Sequence, residues 1–232
     1  MGHSGLNSPV HIRPCPNWTV KSTHGILVGM GLQPTTERGR QTRRRIVAAA
    51  AEVVSEKGAL GASLDEVGAR APASRSQLYH YFDDKSDLLR SVAEATNDAV
   101  LDGQEDLFAG LGTWDGLVRW ADTLVALQEQ LGGRGGCPIA NLLGQLGERD
   151  DGTRTVLASG FDRWEASIRD GLIEMIDSGE LRPDADADWL AASTLASVQG
   201  GLILTQARRD PRALRRALDG ALALISTFRR AG

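Results

Sequence analysis

Leu-Asp-Glu-Val-Gly-Ala-Arg-Ala-Pro-Ala-Ser-Arg-Ser-Gln-Leu-Tyr-His-Tyr-Phe-Asp-Asp-Lys-Ser-Asp-Leu-Leu, residues 64 to 89, reads as two short helices parted by a tight turn. Pro72 cannot continue a helix and biases Ala71 away from helical geometry, so the first helix stops there. Ser74 is a good N-cap and opens a second helix that runs to about His80. Leu78 points into a core and leaves Arg75, Ser76 and Gln77 on the outer side. That is the layout of a helix-turn-helix, in which the second helix lies in the major groove of DNA.

Working outward, Ile46, Ala50, Val53 and Val54 recur at helical spacing on one face of a preceding helix. Lys57-Gly58 ends it, with a base in the last turn and glycine as a left-handed cap. Ser63 and Glu66 form a capping box that starts the helix carrying Leu64 and Val67.

The chemistry of the second short helix suits base reading. Arginine pairs with guanine edges, glutamine with adenine edges, and hydroxyls with either bases or phosphates. Arg75 and Gln77 are the candidate base readers, and Ser63, Ser74 and Ser76 are candidate hydroxyl contacts. Tyr79, His80, Lys85, Arg43 and Arg44 are candidate phosphate contacts, which position a helix without reading sequence.

Residues from about Ile46 to Leu89 resemble the DNA-binding domain of the tetracycline-repressor (TetR) family. The segment Ser74 to Phe82, followed by Lys85 and Leu88-Leu89, is similar to the core of its signature. Two positions depart from the pattern. Pro72 stands in the turn where the family usually has glycine, and Ala62 stands where threonine is common, which leaves the cap to Ser63.

The formal charge of the 232-residue chain is −4, unevenly placed. Residues 37 to 90 hold 10 Lys+Arg and 8 Asp+Glu, whereas residues 91 to 232 hold 14 and 22. Arg38, Arg40, Arg43, Arg44 and Arg45 crowd the front of the first long helix. A basic front on an acidic body suits a protein that touches DNA with one end. Cys15 and Cys137 provide neither a disulfide framework nor zinc spacing, and a reducing cytoplasm fits them. Gly25 to Leu32 is too short to span a membrane and is followed by no small-residue cleavage site. Residues 1–35, with Pro9, Pro14, Pro16 and Pro34 and no periodicity, read as disordered. Met30 looks like a natural start, so the first 29 residues read as an over-extended frame or as residues added to the natural protein. His3, His11 and His24 lie in that segment and form no metal site.

After Leu89 the chain reads helical throughout. Asp84 caps a helix from Lys85 to about Leu107, and Gly110 and Gly112 break the chain. Helices follow over Trp114 to Leu131 and Pro138 to about Leu146, parted by a glycine-rich loop at 132–136. Leu157, Phe161, Trp164, Ile168, Leu172 and Met175 stripe the next helix. Asp186 to Arg208 and a last helix opened by Asp210-Pro211 complete the body. Trp189 to Ala207 is uncharged over a nominally membrane-length stretch, but its serines, threonines and glutamines argue for burial in protein. The expected architecture is all-α: a head at 36–84 and a helical body at 85–232.

Gly136 to Leu142 and Gln199 to Leu202 resemble C-terminal domains found in branches of the same family. The resemblance implies a small-molecule effector bound in the body and a homodimer formed by the last two helices. Gly200 and Gly201 would allow the close approach of backbones that such an interface needs. For the pocket the candidates are Phe108, Trp120, Leu124, Leu127, Cys137, Asn141, Gln145, Phe161 and Trp164. Aromatic walls with a few amides fit a mostly apolar ligand, and Asn141 and Gln145 share one helix face. The chain therefore reads as a dimeric DNA-binding regulator, a repressor released by its ligand. The alternative is a ligand-independent regulator, or one that senses thiol chemistry at Cys137, whose place at a helix N-terminus can lower a thiol pKa. An enzyme is disfavoured: no phosphate loop, metal spacing, cofactor motif or nucleophile beside a histidine base is present.

Overall fold

A computed structural model describes residues 34–230. The segment expected to be disordered, with Cys15 and Met30, lies outside the described residues except for Pro34 and Thr35. The described chain is all-α, with helices α1 (Glu37–Gly61), α2 (Leu64–Arg70), α3 (Arg75–Tyr81), α4 (Lys85–Asp102), α5 (Glu105–Phe108), α6 (Trp114–Gln130), α7 (Pro138–Leu146), α8 (Asp151–Asp177), α9 (Ala187–Arg208) and α10 (Arg212–Ser226).

The head is α1 to α3. Thr36 caps α1 by accepting the Gly39 N–H at 3.1 Å. Ile46, Ala50, Val53 and Val54 are buried, as the spacing predicts. Gly58 leaves helical geometry with φ 75° and ψ 160°, and one further turn carries the chain to Gly61. That positive φ is open to glycine at little cost and strained for other residues. Val67, Leu78 and Phe82 close the same small core.

The capping box expected at α2 is half made. Ser63 accepts the Glu66 N–H at 3.3 Å. The Glu66 carboxylate, however, takes the Ser63 hydroxyl and the Lys57 ammonium instead of the Ser63 backbone N–H. The full box occurs at α3, where Ser74 accepts from Gln77 N and the Gln77 side chain accepts from Ser74 N. Pro72 is accommodated in a turn closed by Ala73 N–H donating to the Gly68 carbonyl at 3.0 Å.

Asp84 caps α4 as predicted, accepting the Asp87 N–H at 2.9 Å. The helix stops at Asp102 rather than Leu107. The cause is a distant side chain. Gln104 turns inward, donates to the Val100 carbonyl at 3.0 Å and accepts the Trp120 indole N–H at 3.1 Å. That pairing ends α4 and leaves α5 as a separate turn. α4 packs against both α1 and α8, so it joins the head to the body.

The body is α5 to α10, with α8 as its central helix between α4, α7 and α9. Helices α9 and α10 form the most extensive pair. Buried Thr205 accepts the Leu214 N–H at 3.1 Å across them. Among the described residues no helix is long and apolar enough to cross a membrane.

Candidate functional site

Helix α3 stands on Leu78, which is 2 % exposed, so the residues around it must face outward. Arg75, Ser76, Gln77, Tyr79 and His80 are all exposed. Half of Tyr79 lies in solvent. His80 rests edge-on against Tyr81, with ring centroids 4.9 Å apart. The candidate base readers and three candidate backbone contacts therefore share one short, capped helix.

Gln77 already has work. Its side-chain carbonyl accepts the Ser74 N–H at 2.9 Å. To pair with adenine through both amide atoms it must leave the box. Arg75 is freer, with only a 3.8 Å approach to exposed Asp65. Ser76 Oγ lies 3.0 Å from Ser74 Oγ.

The candidate phosphate contacts divide. Arg43 is half-buried, donates to Ser91 Oγ at 2.6 Å and lies over the Phe82 ring, so it fastens α1 to α4. Arg44 is exposed but paired with Glu37 at 2.8 Å, and Arg40 is paired with the same carboxylate. The hydrogen bond from Arg40 above all holds the Glu37 carboxyl below its usual range. Arg38 and Arg45 are exposed and form no ion pair among the described residues. Lys85 donates to the Leu60 carbonyl at 3.2 Å and so helps close the end of α1. Ser63 is exposed at the α2 N-terminus, its hydroxyl engaged by Glu66.

The candidate pocket residues are spread over α5, α6, α7 and α8 and differ in burial. Trp120 and Trp164 are buried, Phe108, Leu124 and Phe161 are half-buried against the core, and Leu127 is half-buried. Cys137 is buried at the α7 N-cap. Asn141, expected inside, is exposed and donates to the Gly135 carbonyl. Gln145 faces the head, accepting the Ala59 N–H at 2.7 Å. Both amides are thus engaged by backbone groups. A cavity of about 260 Å³ lies in the head beside Val53, Lys57 and Arg70. A groove of about 480 Å³ runs along the outer face of α6 past Asp115, Arg119 and Asp122. Neither takes in any of the nine.

Other polar atoms in the body remain without a hydrogen-bond partner inside the chain. They are Trp164 Nε1, Gln128 Oε1, Arg90 Nε and Asn97 Oδ1 on α4, and the Gln199 amide, which has no partner beyond the Cys137 thiol beside it. Gln128 and Gln199 escape sequence reading because helical periodicity does not distinguish an inward glutamine from an outward one. Cys137 is not activated. Burial pushes its thiol up, against the backbone N–H groups of Ala140 and Ile139 and the Gln199 side chain, which pull it down.

On α9, Trp189, Ile203 and Leu204 are 50 %, 58 % and 42 % exposed. The neighbouring glycines part ways. Gly200 is exposed with open space beside it, whereas a Cβ on Gly201 would lie 2.8 Å from Leu214 Cδ1 and 3.1 Å from Ala217 Cβ. Gly201 therefore serves the contact of α9 with α10 within one chain, and only Gly200 lies on the outer face.

Two family models match this chain. Residues 46–92 match "Bacterial regulatory proteins, tetR family", and residues 114–221 match "Tetracyclin repressor-like, C-terminal domain". Together they span more than half of the sequence. The HTH-type transcriptional repressor DhaR of Mycobacterium sp. (strain GP1) is 26 % identical over 195 residues, covering 79 % of this chain and 89 % of DhaR. The transcriptional regulator AcuR of Cereibacter sphaeroides is 28 % identical over 176 residues, 72 % of this chain and 78 % of AcuR. A solved TetR-family regulator from Cytophaga hutchinsonii superposes with a TM-score of 0.72 at 19 % identity, covering 86 % of this chain and all of that one. At that identity the superposition speaks for the fold alone.

Proposed function

This chain belongs to the tetR family of bacterial regulatory proteins, and on that premise we propose that it is a homodimeric transcriptional repressor released from operator DNA by a small-molecule effector. The observation that carries the reading is α3, a capped helix seated on buried Leu78 with Arg75, Ser76, Gln77, Tyr79 and His80 presented together. Residues 36–84 form the DNA-binding head and 85–232 the effector and dimer body. Repression rather than activation is favoured by the likeness to DhaR, itself named a repressor. Such a head works on the chromosome, in the cytoplasm.

Dimerisation is supported by the outer face of α9. Its exposed Trp189, Ile203 and Leu204, with Gly200 between them, form an apolar strip on the helix. A two-fold pair through α9 and α10 would set two α3 helices about 34–36 Å apart, one turn of DNA.

Effector binding is supported by the unpartnered atoms. Buried polar groups in folded proteins are nearly always hydrogen-bonded. Trp164 Nε1 on α8 calls for an acceptor, Gln128 Oε1 on α6 for a donor, and the Gln199 amide on α9, which lies beside the Cys137 thiol, for at least one more partner. A compact apolar molecule carrying both a donor and an acceptor meets that demand. A thiol-sensing role is disfavoured, because a thiol raised by burial carries little of the reactive thiolate.

Selecting duplexes from a random library with the purified protein tests the reading. Enrichment of a two-fold-symmetric sequence is expected, and an unenriched pool would overturn it. For the effector, a small-molecule thermal-shift screen should yield hits that weaken in Trp164→Phe and Gln199→Leu. Both variants keep the core filled, unlike Trp164→Ala, which would cost about 3–5 kcal/mol of stability.

A further inference from the structure

We propose that α7 is a connecting rod between the α9–α10 corner and the DNA-binding head, with Gln145 as the joint at its head end. The proposal rests on the reading of α1 to α3 as that head.

The joint exists because α1 breaks. Gly58 leaves helical geometry, so the Ala59 N–H loses the carbonyl a continuous helix would offer. Ala59 is fully buried, and a buried backbone donor needs an acceptor. The acceptor comes from another part of the molecule: Gln145 Oε1, at 2.7 Å and 86 residues away in sequence. A Cβ on Gly58 would lie 2.9 Å from that same oxygen, so a larger residue would wedge the joint open. The other end of the Gln145 amide donates to the Asn141 carbonyl at 3.1 Å, within α7 itself. The acceptor is thus fixed to its helix and travels with it.

The far end of the rod lies close to the α9–α10 corner. The loop that enters α7 holds Gly133, where a Cβ would meet the backbones of Arg209 and Asp210 at 3.0–3.2 Å. Arg209, with φ 53°, donates to the Gly133 carbonyl at 3.5 Å. A Cβ on Gly136, whose φ is +62°, would lie 2.6 Å from Gln206 Oε1 on α9. Between these ends α7 is nine residues, about 13 Å of helix. It packs sideways on α4 and α8 and reaches α1. A shift of the corner therefore moves α7 along its length and acts on Ala59, at the root of the recognition unit.

Amide hydrogen exchange followed by NMR on the full chain tests the rod without DNA or effector, because exchange at one amide reports its local opening. In Gln145→Leu the Ala59 amide should exchange at least about tenfold faster, and in Gln145→Glu, which keeps the acceptor, it should stay slow. Gly136→Ala strains the far end. It should speed Ala59 exchange severalfold, leave the Phe82 amide inside the head unchanged, and add nothing in a Gln145→Leu background. Affinity for a duplex selected by the wild-type protein should follow the same non-additive pattern. The proposal is overturned if Ala59 stays protected in Gln145→Leu, or if Gly136→Ala leaves Ala59 unmoved. Failure to select any duplex would count against the DNA reading, while the exchange measurements still decide the rod.

Discussion

In the head, polar groups at helix ends find partners three residues away: Ser63 with Glu66 N–H, Ser74 with Gln77 N–H, Asp84 with Asp87 N–H. The body's helices are capped as locally, by Thr113, Asp150 and Asp186, but several of its buried amides and an indole reach across the fold or find nothing. Gln104 meets Trp120, Asn97 donates to the Val156 carbonyl at 2.6 Å, and Gln128, Trp164 and Gln199 keep unpartnered atoms. A region whose caps are local is specified by short sequence and holds one shape. A region with unmet buried demand can be stabilised by whatever meets it, which is what a regulated body requires. Under the proposed function, DNA contact falls to the head and response to the body.

The largest expected effect tests whether the head alone touches DNA. Arg38, Arg45, Tyr79, His80 and Lys85 on each of two heads imply six or more phosphate contacts. Affinity for a selected duplex should fall by a factor on the order of 10³ or more between 50 and 200 mM salt. A flat salt response would remove the head from the reading. Arg43→Ala should lower stability more than it lowers the salt slope, because its guanidinium is held by Ser91 and Phe82.

The next effect separates the two faces of α9. Gly201→Trp must displace Leu214 and Ala217 and should destabilise the monomer fold itself by about 3 kcal/mol, the upper end for overpacking. Gly200→Trp meets open space and should melt within about 0.5 kcal/mol of wild type. In sedimentation, Gly200→Trp should run as a monomer. A Gly200→Trp dimer would move the interface off this face.

Within the head, base readers and positioners should separate by about 1–3 kcal/mol. Arg75→Ala should lose that much on the selected duplex and relax specificity at one position while leaving the melting temperature unchanged. Gln77→Ala should show the same loss together with about 0.5–1.5 kcal/mol of stability, because it also removes an acceptor from the capping box. Lys85→Ala should weaken all sequences alike. Full discrimination in both the Arg75 and Gln77 variants would place the reading surface elsewhere.

The same contrast governs what the sequence discloses. Caps and turns are short-range, so α2 and α3 are legible to within a residue, and the stripe of α8 is legible because it repeats. The end of α4 is not, since it depends on Gln104 finding Trp120 sixteen residues later. Asn141 and Gln145 read as pocket amides because they share one helix face. Their partners are a loop carbonyl and the N–H freed at Gly58, and neither is visible in sequence. Gly200 and Gly201 are equivalent on paper. Adjacent helix positions point about 100° apart, and only the packing of α10 decides which faces inward.

The smallest expected effect lies on the seam between the two regions. Glu94 on α4 is partly buried, and that burial raises its carboxyl above the usual value of 4.5. Arg43 pulls it down, and Asp98 and Asp87 push it further up. A carboxyl raised on folding prefers to be protonated in the folded state. Its charged form therefore costs stability, and the sign is fixed by linkage. Below the ordinary carboxylate range both states hold the proton and the cost is nil. As pH rises through that range towards the raised folded value, the unfolded chain releases its proton first and the cost appears. Above the folded value it is constant. Glu94→Gln removes the titration, so its stability relative to wild type should be level in acid, rise through the weakly acidic range and plateau in the variant's favour at neutral pH. Taking the difference between two proteins cancels the other carboxylates that titrate in the same window. Urea melts of both proteins across that range measure it. A difference independent of pH would mean that Glu94 is solvated at the seam, and that α4 meets the head more loosely than its contacts with α1 imply.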